Sequence, residues 1–170
     1  MRIGMNNVGR ATMVLSAGLA FAVSTPAAAA TQTATMGVSA TVADNCSITA
    51  TPVAFGTVDV TSGTAATAQG GITVKCTVGT SWSATASLGS NASGSTRRMA
   101  HTTDPTKLLT YELFRDSGLS NAWTDDSSGA LTGSGTGSDD SVTIYARVPT
   151  GQQTAALGSY ADSVTVTVTY

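Results

Sequence analysis

The 170-residue chain is poor in charge, in histidine and in long apolar runs, and each shortage excludes something. Asp, Glu, Lys and Arg make up 11% of it, against about 25% in typical domains. Ser, Thr, Gly and Ala take their place, giving a polar surface with few basic sites for proteases, as suits an extracellular structural protein. Eight Lys/Arg stand against ten Asp/Glu, so there is no basic face for nucleic acid. The one histidine, His101, sits in a polar stretch, and no cluster of nitrogen and sulfur ligands surrounds it in sequence, so no zinc site is expected. A catalytic triad on His101 lacks a visible partner, and the G-x-S-x-G elbow is missing. "GSGTGS" at 133–138 has no following lysine and no strand-to-helix setting, so it is not a phosphate cradle. Asp125, Asp126, Asp139 and Asp140 flank that loop without EF-hand spacing and read as solvated. No enzyme activity, cofactor or metal is expected.

The longest apolar run, "ATMVLSAGLAFAVS", is 14 residues, short of the ~20 a bilayer crossing needs. It follows "MRIGMNNVGR", with Arg2, Arg10 and no acid, and precedes "TPAAAA", where Ala28 and Ala30 fit an A-x-A cleavage site. That order is a secretory signal peptide, residues 1–30. The mature chain is then exported and does not span the membrane. It keeps six Lys/Arg and all ten acids, a formal charge of −4. Its two cysteines, Cys46 and Cys76, are too far apart for a C-x-x-C redox pair and read as a disulfide in an exported chain. Closing a loop of this size is worth roughly 3.5 kcal/mol in the chain-entropy model.

Helical periodicity of useful length is missing too, and period-two alternation takes its place. "PVAFGTVDV", "GITVKCTV", "SWSATASLG", "LLTYELFRD", "SVTIYARVP" and "ADSVTVTVTY" read as six strands. Phe114 falls out of register, which suggests a bulge. In the last strand Val164, Val166, Val168 and Tyr170 share one face. Residues 89–107 and 125–140 read as polar loops, Arg97-Arg98 as exposed, Trp82 as core, and Trp123 as core or a sugar-stacking surface. Asn91-Ala-Ser fits a glycosylation sequon by pattern alone. Short strands with regular turns indicate an all-β sandwich. About six core strands is one fewer than the seven of a constant-type immunoglobulin sandwich.

Ahead of Cys46 lies "TATMGVSATVADNC", in which Ala34, Met36, Val38, Ala40 and Val42 alternate with polar residues as in a strand. Nothing in the sequence shows where this strand docks. It could complete its own sandwich, although only Ala43 to Asn45 separate it from Cys46.

The mature chain resembles the spore coat protein U domain family, which includes the major subunits of archaic chaperone–usher pili. The resemblance rests on "NCSI", "FGTVDV", "GGITVKCT", "LTYELFRDSGLSNAWTD" and the ending "TIYARVPTGQQTAALGSYADSVTVTVTY". It implies an incomplete immunoglobulin-like sandwich, residues 44–170, with an N-terminal donor strand, residues 31–43. A periplasmic chaperone would fill the gap first. The donor strand of another copy, or of a related subunit, would replace it at an outer-membrane usher, as strand addition to a sheet edge. Met36, Val38, Ala40 and Val42 match the inserting positions; Ala40 is small for such a pocket, and Ala34 matches less well. The implied protein is a subunit of a cell-surface fibre for attachment or biofilm formation. A monomeric secreted coat protein and a carbohydrate-binding adhesin module are the alternatives.

Overall fold

The computed structural model describes residues 26–170. The signal-peptide reading falls mostly on residues 1–25, which lie outside the described residues; Ala28 and Ala30 are exposed and carry no secondary structure. Residues up to Ser39 and Ala40–Tyr170 form separate units, and the second holds the fold.

That fold is an all-β, immunoglobulin-like sandwich. Among the described residues nine strands are formed: β1 (Cys46–Thr51), β2 (Ala66–Cys76), β3 (Ser81–Ala86), β4 (Arg97–His101), β5 (Leu108–Phe114), β6 (Leu131–Ser134), β7 (Asp140–Val148), β8 (Tyr160–Ala161) and β9 (Val166–Thr169). One sheet runs β1-β2-β7-β5-β4-β8, the other β6-β3-β9. Every ladder is antiparallel. Period-two alternation turns one row of each strand inward. Ile72 and Val74 of β2, Trp82, Ala84 and Ala86 of β3, Leu109, Tyr111 and Leu113 of β5, and Ile144, Ala146 and Val148 of β7 make the buried core. Cys46 and Cys76 are direct partners in the β1–β2 ladder and form the disulfide.

Two polar devices tie the sheets together. Arg97 points inward from β4 and is 7% exposed. Its guanidinium donates to the carbonyls of Ser87 (2.9 Å), Trp123 (2.8 Å) and Ala86 (2.6 Å). Those acceptors terminate β3 and hold the Trp123 segment, whose indole Nε1 donates to the Ala84 carbonyl at 3.0 Å. Burial lowers the arginine's pKa, opposed by nearby Tyr111, Asp125 and Asp162. The second device is Asp162. It accepts from the Tyr111 hydroxyl (2.6 Å), the Ser90 amide (2.9 Å) and the Asn91 side chain (3.0 Å). Gly89 leaves room for it: φ is +85°, and a side chain there would meet the Asp162 carboxylate. Burial, then the bond to Asp162, pushes the Tyr111 phenol well above its ordinary value.

The structure departs from the sequence reading at several points. Arg97 is buried, because three backbone carbonyls give its Nε, Nη1 and Nη2 partners that water would otherwise supply. The stretch 89–107 contains β4 and the stretch 125–140 contains β6, while 52–60 forms no strand. Phe114 makes no bulge; β5 pairs with β7 in unbroken register. Leu113 and Phe114 face opposite sides, and the second is covered by Arg147, whose guanidinium lies 5.0 Å from the ring centre. Trp123 is core, 2% exposed.

Replacing Arg97 by Met should lower the unfolding free energy by about 3 kcal/mol, since the carbonyls lose their donors in a buried site. Urea unfolding checks this; an unchanged midpoint would contradict the pin. The Tyr111 phenol favours its neutral form on folding. Its contribution is complete below the unfolded value near pH 10 and is lost as pH rises above it. Stability should therefore fall above about pH 10 less steeply in Tyr111→Phe than in the parent chain, and parallel profiles would count against this.

Candidate functional site: an apolar groove between the sheets

A sandwich is closed when the inner rows of both sheets are covered, and this one is open along one side. In β9 the alternation is regular, and register sets Val166 and Val168 opposite the fully buried Ala86 and Ala84. Yet Val164, Val166 and Val168 are only half-buried. Across the opening, Ile48, Val53, Phe55, Val58 and Val60 are half-buried as well. Two apolar rows thus flank a space that no strand of the described residues fills. Both rows pack against the core at their base.

The space is a groove in two joined parts. The inner part, about 350 Å³, has Ile72, Leu113, Trp123 and Ile144 as its floor. Its lips are Ala50–Phe55 on one side and Tyr160–Val166 on the other. The outer part, about 750 Å³, continues between Val53–Val60 and Ala155–Tyr160. Val53, Phe55, Met99 and Tyr160 line both parts. Asp162, held by Tyr111, is the polar group on the inner wall.

The lips present outer backbone edges without ladder partners. β1 pairs only with β2, and β9 only with β3. The two approach each other but exchange no ladder bonds. Residues 52–60 carry an alternating apolar pattern and still form no strand. Gly70 lets this lip lie close over β2, since a side chain there would meet Val53 and the Thr51 carbonyl. Unpaired amides and carbonyls beside an apolar cleft are what an added strand satisfies.

The alternating residues before Cys46 are exposed. Met36, Val38 and Val42 are 86%, 90% and 82% exposed, and Ala40 is exposed too. Within one chain residues 26–45 form no strand, because a strand exists only with a ladder partner and both sheets are built from residues 46–169. The segment leaves the sandwich at a fixed point. Thr80, buried at 5%, donates to the Asp44 carboxylate at 2.7 Å. The Thr77 amide donates to the Asn45 carbonyl at 2.9 Å.

Other sequence candidates are occupied locally. His101 Nδ1 accepts from the amides of Thr103 and Asp104, both at 3.2 Å, and its ring meets Tyr160 edge-on. Asp126 caps the 3-10 turn Ser127–Gly129, and Asp139 lies 3.5 Å from Lys75 on the surface. Asn91 is engaged with Asp162. Among the described residues no cluster of His, Cys, Asp and Glu could hold a metal ion, and no helix is long and apolar enough to cross a membrane. Tyr170 follows β9 and is 57% exposed.

Known proteins place these features. Protein U of Myxococcus xanthus is 33% identical over 183 aligned residues, covering 98% of this chain and all of that protein. A solved structure with the same fold is a chain of the CsuC–CsuE chaperone–tip adhesion subunit pre-assembly complex, from archaic chaperone–usher Csu pili of Acinetobacter baumannii. The TM-score is 0.59 at 21% identity; the match covers 76% of this chain and 41% of that one. The family model for the Spore Coat Protein U domain matches residues 32–167, and the chain belongs to that family.

Proposed function

We propose that this protein is a structural subunit of an exported fibre, assembled by donor-strand exchange. The observation that carries the reading is the open groove, with half-buried apolar rows and unpaired backbone on both lips. The exposed alternating segment is its complement. Met36, Val38, Ala40 and Val42 would enter the groove of another copy, while the backbone of that segment pairs along the lips. Burying four such side chains, at ~1–3 kcal/mol for each large one, and adding a ladder of backbone bonds makes a long-lived link.

Donor and acceptor are different surfaces of one molecule. The contact is therefore head-to-tail, and when it does not close on itself it generates an open filament. Until a donor arrives the groove needs another cover, which is the part a periplasmic chaperone would play before handover at an outer-membrane usher. The Csu complex, a chaperone bound to a pilus subunit, supports that order of partners. Cleavage near Ala28–Ala30 would free the donor segment for export to the cell surface. The role is mechanical rather than catalytic, serving attachment or biofilm formation. A coat built from the same links is the second reading, and the full-length match to Protein U and the family's spore-coat description favour it.

Deleting residues 31–42 should leave a subunit that folds and binds its chaperone but forms no fibre. The check is the ladder of SDS-resistant oligomers from unheated cells that collapses on boiling. A ladder that persists in the deletion variant would contradict the donor assignment.

A further inference from the structure

Among the described residues outside the donor segment, the large apolar side chains left most exposed are Val78 and Leu157, at 73% and 101%, followed by Tyr170. The strand registers place Val78 and Leu157 at opposite ends of the sandwich. Cys46 pairs with Cys76, Val74 with Asp140 and Ser83 with Thr169. The first end therefore gathers the exit of the donor segment, the turn 77–80 and Tyr170. Ala66 pairs with Val148 and His101 with Tyr160. The second end gathers the turn 102–107 and the loop 149–159, which carries Leu157 on the wall of the outer groove.

The direction of insertion follows from these two ends. β9 runs toward the first end. Each copy sends out its donor segment from its own first end. A donor parallel to β9 would bring its body to the acceptor's first end, where the acceptor's own segment leaves. An antiparallel donor, like every other ladder here, brings its body to the acceptor's second end. The tether leaves little slack. From Val42 to Cys46 is four residues, at most about 14 Å extended, and Ala43, Asp44 and Asn45 are each held by Thr77 or Thr80.

Resting on the donor-strand reading above, we infer that consecutive copies also meet body to body, with the Val78 turn of one copy against the Leu157 loop of the next. The occupant of each apolar knob is a second copy of this chain. The contact is separate from the inserted strand and sets how stiffly neighbours are held, because a strand and a four-residue tether alone leave the bodies free to swing.

The test is a full-length chain carrying Val78→Cys and Leu157→Cys, with each single variant beside it. Oxidised fibres of the double variant should give dimers, trimers and higher species that survive boiling without reductant and collapse with it. The single variants should give at most a boiled dimer. An SDS-resistant ladder in unheated samples of all variants, with no crosslinked ladder in the boiled double variant, would overturn this contact and leave the donor reading standing. Absence of the unheated ladder in the parent chain would overturn both. As a second measurement, Val78→Asp should shorten the persistence length of the fibres at least twofold in electron micrographs. Adding Leu157→Lys should restore it; an unchanged length in Val78→Asp would also count against the contact.

Discussion

Everything in this fold turns on one unmet requirement: an inner row of side chains must be covered, and a strand edge must be paired. The core meets both conditions around β2, β3, β5 and β7, where residues such as Ala84, Ala86 and Ala146 are fully buried. Along the opening neither is met. Val164, Val166 and Val168 alternate correctly and remain half-covered, and the backbone facing them across the groove, residues 52–60, has strand-like alternation without a ladder. Four apolar side chains in the exposed segment before Cys46 have the complementary defect. On the proposed donor-strand reading, the exposed segment and the open cleft account for each other once a second copy is present.

The polar pins explain why the open sandwich keeps its shape. Arg97 joins β4 to the end of β3 and to the Trp123 segment, and Asp162 joins the lead-in of β9 to Tyr111 of β5 and to the turn at 89–91. Asp162 lies on the wall of the opening, where a missing strand would otherwise let the sheets close on each other. The disulfide does the same for β1, fixing it to β2 at the point where the donor segment leaves.

Much of this was legible in the sequence, for physical reasons. Alternation in "GITVKCTV", "SWSATASLG" and "SVTIYARVP" gave strands because those rows are buried on one face. β4 was not legible: its inward residue is an arginine, and only the three-dimensional placement of three carbonyls makes that position a core one. β6, in a Gly/Ser-rich stretch, is short and carries one large apolar residue, Leu131, too little to show a period. The strand expected over 52–60 did not form, and residues 33–42 carry no ladder within one chain, for a shared reason. Sequence pattern records which side chains seek cover, whereas a strand also needs a neighbour. The groove itself could be inferred only from a strand count; its lips and floor needed coordinates.

The central claim is that this groove takes residues 36–42 and gains stability by doing so. It is tested most directly by moving residues 31–43 to the C-terminus, behind a short flexible linker after Tyr170, and measuring thermal unfolding and mass in solution. On this account the rearranged chain is a monomer, more stable than the chain lacking the segment by several kcal/mol, as expected for burying these apolar side chains. A rearranged chain that is no more stable than the deleted one, or that still polymerises, would contradict it.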